Sequence, residues 1–273
     1  MENFGLQKVV FLNDITEFHV ATDVFIEVIE RNLNNVATKE KIKNAIYKEL
    51  NLLIRNDEMF DEKSYSIGHY VISFCLEKDS ILMWSEYSDF CGYCIEFDFD
   101  KLIHSFSNFK HIIHGKVIYD HQEQISIMEE IIEYGILKSE KLFKNINSWD
   151  DLNEINDNQV KHLSIELGVD LYLYNMFFKK ECFSGENEYR FVFICDHDEV
   201  LSPYIEIEPQ YFRVKDNVLI PFVKKKLSSL DSVNSILIGP KNNSDIAEKG
   251  VKHFLRYHKI KAKVEKSEMP LRY

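Results

Sequence analysis

The stretch Cys182–Cys195, CFSGENEYRFVFIC, decides how the rest of the chain is read. In a β-strand, residues two apart share a face. Glu186, Glu188, Arg190 and Val192 then form one row, and Asn187, Tyr189, Phe191 and Phe193 form the other. The aromatic row reads as the core side. Two carboxylates and a guanidinium in the opposite row make either a solvated sheet face or an active site.

Upstream of this strand, residues 122–178 read as two or three helices, broken near Asn145–Asp151 and Asn153–Asn158. Before them, His69–Leu76, Gly92–Phe99 and His114–Asp120 have strand composition, and Asp79–Ser88 reads as a short helix. The N-terminal part gives a short strand ending at Asn13–Asp14 and a helix from Ile15 to about Leu33. Asp14 and Glu17 have the spacing of a capping box there. A second helix covers Lys39–Ile54. Downstream, YIEIEP, YFRVKDNVLIPFV and VNSILIGP read as strands, residues 244–258 as an amphipathic helix, and KAKVEK as a last strand. Strands and helices do not alternate regularly. The expected class is therefore α+β with a mixed or antiparallel central sheet. We expect one domain over residues 1–273, with 122–178 as a helical insertion or cap.

The chain has 273 residues, 45% hydrophobic and 13% aromatic, enough for a substantial core. Nine glycines and five prolines leave no low-complexity linker. The net charge of −12 disfavours broad binding to nucleic acid, although Lys224–Lys226 forms a local basic run, read as the end of a helix. No apolar run reaches the roughly 18–20 residues of a membrane span, and no signal peptide is visible. The five irregularly spaced cysteines (Cys75, Cys91, Cys94, Cys182 and Cys195) are those expected of a reduced, cytoplasmic protein.

Phosphate-binding glycine loops, the H-E-x-x-H zinc motif and the G-x-S-x-G serine elbow are absent. Cys91 and Cys94 have C-x-x-C spacing, but the motif runs into a strand rather than a helix start, and no second pair completes a zinc site. His111 and His114 lie on a strand or turn that would not converge their rings. Trp84 and Tyr87 stand three apart on one helix face, as core residues or as walls of a pocket. Paired carboxylates such as Glu186 and Glu188 suit glycosidic chemistry, where positive charge develops at a sugar carbon.

Several stretches occur together in the order of a bacterial family. Leu12, Asn13, Asp14 and Glu17 make one block. Ser73, Phe74, Asp79, Met83, Trp84, Tyr87 and Gly92 make a second. Phe178, Lys179, Phe183, Glu186, Glu188 and Arg190 make a third, followed by Gly239–Pro240 and by Ser267, Pro270 and Arg272. On these residues the chain resembles the family called domain of unknown function 2971, over nearly its whole length. That family is distantly similar to ADP-ribosyltransferases. The resemblance implies a split sheet, with NAD as substrate and no metal. It implies Glu188 as the catalytic glutamate at the nicotinamide ribose and Glu186 as the group that orients or activates the acceptor. Trp84 and Tyr87 would wall the nicotinamide pocket, with Ser73, Lys179, Arg190, Asn13 and Asp14 binding substrate or cofactor. The histidine that relatives carry on an early strand has no counterpart among the eleven residues before Leu12; His19 and His69 are the available substitutes.

The expected function is an ADP-ribosyltransferase-like or NAD-cleaving enzyme, in the manner of an anti-phage defence effector or toxin. Its acceptor would be an unspecified protein or nucleic acid. The alternative is a non-catalytic binding or regulatory protein on the same scaffold, and a hydrolytic nuclease comes third. In the enzyme, Glu188, Tyr87 and Trp84 share one hollow. In the binding protein, Glu186 and Glu188 lie on an open face, paired with lysine or arginine.

Overall fold

The computed structural model describes residues 3–8, 19–58, 67–106, 109, 111–140, 146, 148–196, 210–215, 217–242 and 244–270. The expected cap at Asp14 and Glu17, the site residues Asn13 and Asp14, the strand YIEIEP and Arg272 lie outside the described residues.

Two sheets organise the α+β fold. The larger runs β4(Ile112–Lys116), β5(Glu188–Asp196), β2(Ile67–Cys75), β1(Asn3–Lys8), β7(Val218–Lys226), β6(Gln210–Lys215), with every neighbour antiparallel. The smaller runs β3(Tyr93–Phe97), β8(Val233–Ile238), β9(Lys263–Lys266), with β8 and β9 parallel. Strand β5 is flanked on both sides and pairs along its full length with β2, from Cys75 opposite Glu188 to Ile67 opposite Asp196.

Four helices cover one face of the large sheet: α1(Val20–Asn32), α2(Val36–Glu58), α5(His121–Glu140) and α6(Asp157–Tyr174). Their apolar stripes form one core with Val71 and Val192 of the sheet. The start of α6 follows from its sequence. Asn156 accepts from the backbone of Asn158 and Gln159, while the Gln159 side chain accepts from the Asn156 backbone, closing a capping box. Helix α1 has no local cap and borrows one. Asn175, just past the end of α6, accepts from the Ala21 backbone at 3.0 Å and donates to Thr22 at 3.3 Å. The tie joins two helices about 150 positions apart in the chain.

The other face of the large sheet carries a second core. Tyr70, Phe191, Phe193, Cys195 and Val223 pack there against Leu102 and Phe106 of α4(Phe99–Phe106). Phe97 and Leu230 continue this packing into the small sheet, which α7(Ser244–Tyr257) covers through Val251 and Leu255. Ile246 and Phe254 of that helix are exposed.

Several sequence expectations need correcting. The strand expected over His114–Asp120 runs Ile112–Lys116, and YFRVKDNVLIPFV is two strands, β6 and β7, joined by a turn at Asn217. The strand read through Phe99 stops at Phe97, and α4 begins in its place. Asp98 starts it, its carboxylate accepting the Lys101 backbone N–H at 3.1 Å, so an aspartate cap ends the strand. The lysine run 224–226 ends no helix but lies on β7, where alternation exposes Lys224 and Lys226 and buries Lys225 with its ammonium 4.6 Å from the Phe109 ring centre. Glu186 does not belong to the β5 row. It closes a 3-10 turn over Glu181–Glu186, and Asn187 follows with φ of 43°, a left-handed conformation that asparagine tolerates.

Candidate functional site

Strand β5 presents two different surfaces. The alternation expected for it holds from Glu188 onward: Tyr189, Phe191 and Phe193 face one core, and Glu188, Arg190 and Val192 the other. The unexpected feature is that the charged row is buried too. Glu188 is 6% exposed and Arg190 1%, so no solvated sheet face exists there.

Burial of these charges is tolerated because each has a partner. The Arg190 Nε donates to Glu188 Oε2 at 2.7 Å, and its Nη2 lies 2.5 Å from the same oxygen. Nη1 donates to the Met176 carbonyl at 2.8 Å. The Glu188 backbone N–H donates to the Tyr119 hydroxyl at 3.1 Å, and its carbonyl accepts from the Val117 backbone at 3.0 Å. Beside this pair, Lys179 is ion-paired with Glu186 and sits 4.8 Å over the Phe183 ring. The Lys179 carbonyl accepts from Gln124, which also holds the Ile118 carbonyl. Desolvation pushes the Glu188 carboxyl above its ordinary range despite the Arg190 guanidinium, and pushes the Tyr119 phenol up to about 12.

The aromatic row of β5 looks into a cavity of about 530 Å³ between the two sheets. Tyr189 and Phe191 form one wall, β3 and the start of α4 another. The helix α3(Ile81–Ser88) closes a third side through Met83, Trp84 and Tyr87. Trp84 is 4% exposed and fixed by its indole N–H, which donates to Asp79 at 2.6 Å. Asp79 also accepts from the Ser267 hydroxyl at 2.8 Å and the Glu268 backbone at 3.0 Å, tying α3 to the tail beyond β9. Tyr87, at 58% exposed, stands at the mouth. The turn that joins α3 to β3 uses positive φ at Asp89 and Phe90. Gly239 lets that turn approach, since a side-chain carbon there would lie 2.7 Å from the Phe90 carbonyl oxygen.

The expected site residues therefore separate into two groups. Trp84 and Tyr87 line the cavity. Glu188, Arg190, Lys179 and Glu186 gather behind β5 and are not part of the cavity lining. Ser73 and Cys75 touch both groups. They pair in register with Arg190 and Glu188 and also border the cavity from the end of β2. His69, a substitute for the family's histidine, stacks edge-on against Tyr172 of α6, with centroids 5.0 Å apart; His19 is exposed ahead of α1. Sequence reasoning missed the cavity residues Lys78, Glu96, Phe99 and Tyr189. Only the large sheet packing on the small one brings them together. Tyr189 was placed in the core, and its hydroxyl meets His114 Nδ1 at 2.7 Å.

Among the described residues, no cluster of three or more histidine, cysteine or carboxylate side chains could hold a metal, and no helix is long and apolar enough to cross a membrane. All five cysteines are free thiols, and burial raises the Cys75 and Cys94 thiols. No curated protein and no solved structure gives a significant match to the chain. Residues 83–191, from α3 through the charged and aromatic start of β5, match the family described as Protein of unknown function (DUF2971), and over that stretch the chain is similar to it.

Proposed function

We propose that this protein binds an NAD-type molecule, with the nicotinamide ring held in the inter-sheet cavity, and does not cleave it. One observation carries the reading: Tyr189 and Phe191 line the cavity, while Glu188 and Arg190, alternating with them on β5, lie on the far side and are paired with each other. A volume of about 530 Å³ falls in the range of small-molecule sites, ~300–1,000 Å³. Aromatic walls with a few fixed polar groups suit a flat heterocycle. NAD is the ligand named by the family resemblance. Calorimetric titration with NAD is expected to show saturable binding, weakened about tenfold when the wall residue Phe99 is changed to Ala. No heat of binding at millimolar NAD would overturn the proposal.

A second reading, NAD cleavage with transfer of ADP-ribose to a protein or nucleic acid, is favoured by a different observation. Ser73 and Cys75 stand opposite Arg190 and Glu188 at the open end of β2, and Ser73 is exposed. In that reading the bond from the ribose carbon to nicotinamide breaks, and its electron pair leaves on the ring nitrogen. Glu188 stabilises the oxocarbenium ion, and Glu186 takes the proton of the attacking group. The defence or toxin role goes with this enzyme. Release of free nicotinamide by the wild-type protein would install it in place of the first reading; its absence removes it.

A further inference from the structure

We infer that the inter-sheet cavity discriminates the oxidised, cationic nicotinamide ring from its reduced, neutral form, an inference that rests on the ligand-binding reading above. The described lining carries two carboxylates, Glu77 and Glu96, against one ammonium, Lys78. That ammonium is already engaged, 3.1 Å from Glu96 and 2.5 Å from Glu265 outside the lining. Glu96 is fixed as an anion. The Ser235 hydroxyl donates to it at 2.5 Å, and this hydrogen bond, with help from Lys78, holds its carboxyl below the ordinary range. A third carboxylate, Asp79, sits behind Trp84 as acceptor of its indole N–H.

The thiols in the wall feel the same field. After burial and the neighbouring Cys75, the carboxylates Asp79 and Glu96 push Cys94 up; burial and then Glu77, Glu188 and Glu186 push Cys75 up, against a hydrogen bond from the Glu77 backbone that lowers it. A phosphate placed inside would meet these anions without a free counter-charge in the described lining. A pyridinium would meet anions and the faces of aromatic rings, both of which favour a desolvated cation. The dihydropyridine has the same ring atoms and no charge, so the field gains nothing from it. The pyrophosphate of a dinucleotide would then extend out past Tyr87.

The test compares NAD⁺ with NADH, and 1-methylnicotinamide cation with its neutral 1,4-dihydro form, by calorimetry on the full chain. The oxidised member of each pair is expected to bind about tenfold tighter, the scale of one well-placed cation–π contact with its counter-charge. The ratio is expected to shrink toward one in Glu96→Gln, and to shrink partly in Glu77→Gln, an exposed position whose change leaves the fold intact. Equal affinities, or tighter binding of the reduced forms, would overturn the discrimination and leave the ligand-binding reading standing. A preference unchanged in both variants would overturn the assignment to these carboxylates. Binding of none of the four molecules would overturn both readings.

Discussion

The two sides of strand β5 are built from one alternating sequence and solve opposite problems. On the helix side, Glu188 and Arg190 are buried, joined to each other and anchored to the Met176 carbonyl. On the other side, Tyr189 and Phe191 leave about 530 Å³ unfilled beneath α3. Full burial with satisfied partners is common in structural elements and unfilled volume with aromatic walls in ligand sites, which is the reading we propose for the two sides. Residue chemistry alone points the other way, because carboxylates look catalytic and aromatics look like core.

The sharpest way to break this contrast is to unpair the helix side. Changing Arg190 to Met leaves Glu188 buried without its cation and is expected to destabilise the fold by about 3–5 kcal/mol, read from denaturant unfolding. The double change Glu188→Leu with Arg190→Met should recover most of that loss. A single variant as stable as the wild type would show that the pair does not hold the fold. Next in size is Asp79→Ala, which removes the anchor shared by Trp84, Ser267 and Glu268. We expect a loss of ~2–3 kcal/mol and faster proteolysis beyond β9.

Acidity gives a smaller effect with a defined sign. The raised Glu188 carboxyl keeps its proton in the folded state at pH values where the unfolded chain, near ~4.3, has lost it. The folded state then binds more protons, so this group's contribution to stability falls as pH rises from that value through the raised one. The Glu188→Leu, Arg190→Met protein should lack that component of the pH profile of unfolding. Smallest of all is Tyr87→Ala at the cavity mouth. It should change stability by no more than about 0.5 kcal/mol while weakening NAD binding several-fold, the reverse of the pattern on the helix side.

The period-two pattern of β5 was legible because Tyr189, Phe191 and Phe193 recur at every second position, and the helices of 122–178 were legible too. What lies on each face was not. Alternation places charges toward water, and the covering helices α1, α2, α5 and α6, drawn from two distant parts of the chain, turn the Glu188 row into an interior one. The opposite charges at Glu188 and Arg190, two apart on one strand, were the available signal for an internal pair. Helix α4 was readable from Asp98 as cap with Leu102 and Phe106 at helical spacing, yet the alternating strand before it masked the boundary. The cavity had no local signature. It depends on the two sheets meeting and on Asp79 holding the tail nearly 190 residues away. The split between Trp84 and Glu188 follows from the same packing.

The most direct test of this separation is a crystal structure with NAD⁺ bound. The account predicts the nicotinamide ring between the sheets, against Tyr189 and Phe99, with the Glu188–Arg190 pair intact behind the strand. A ring found on the Glu188 side of β5, touching that carboxylate, would contradict it.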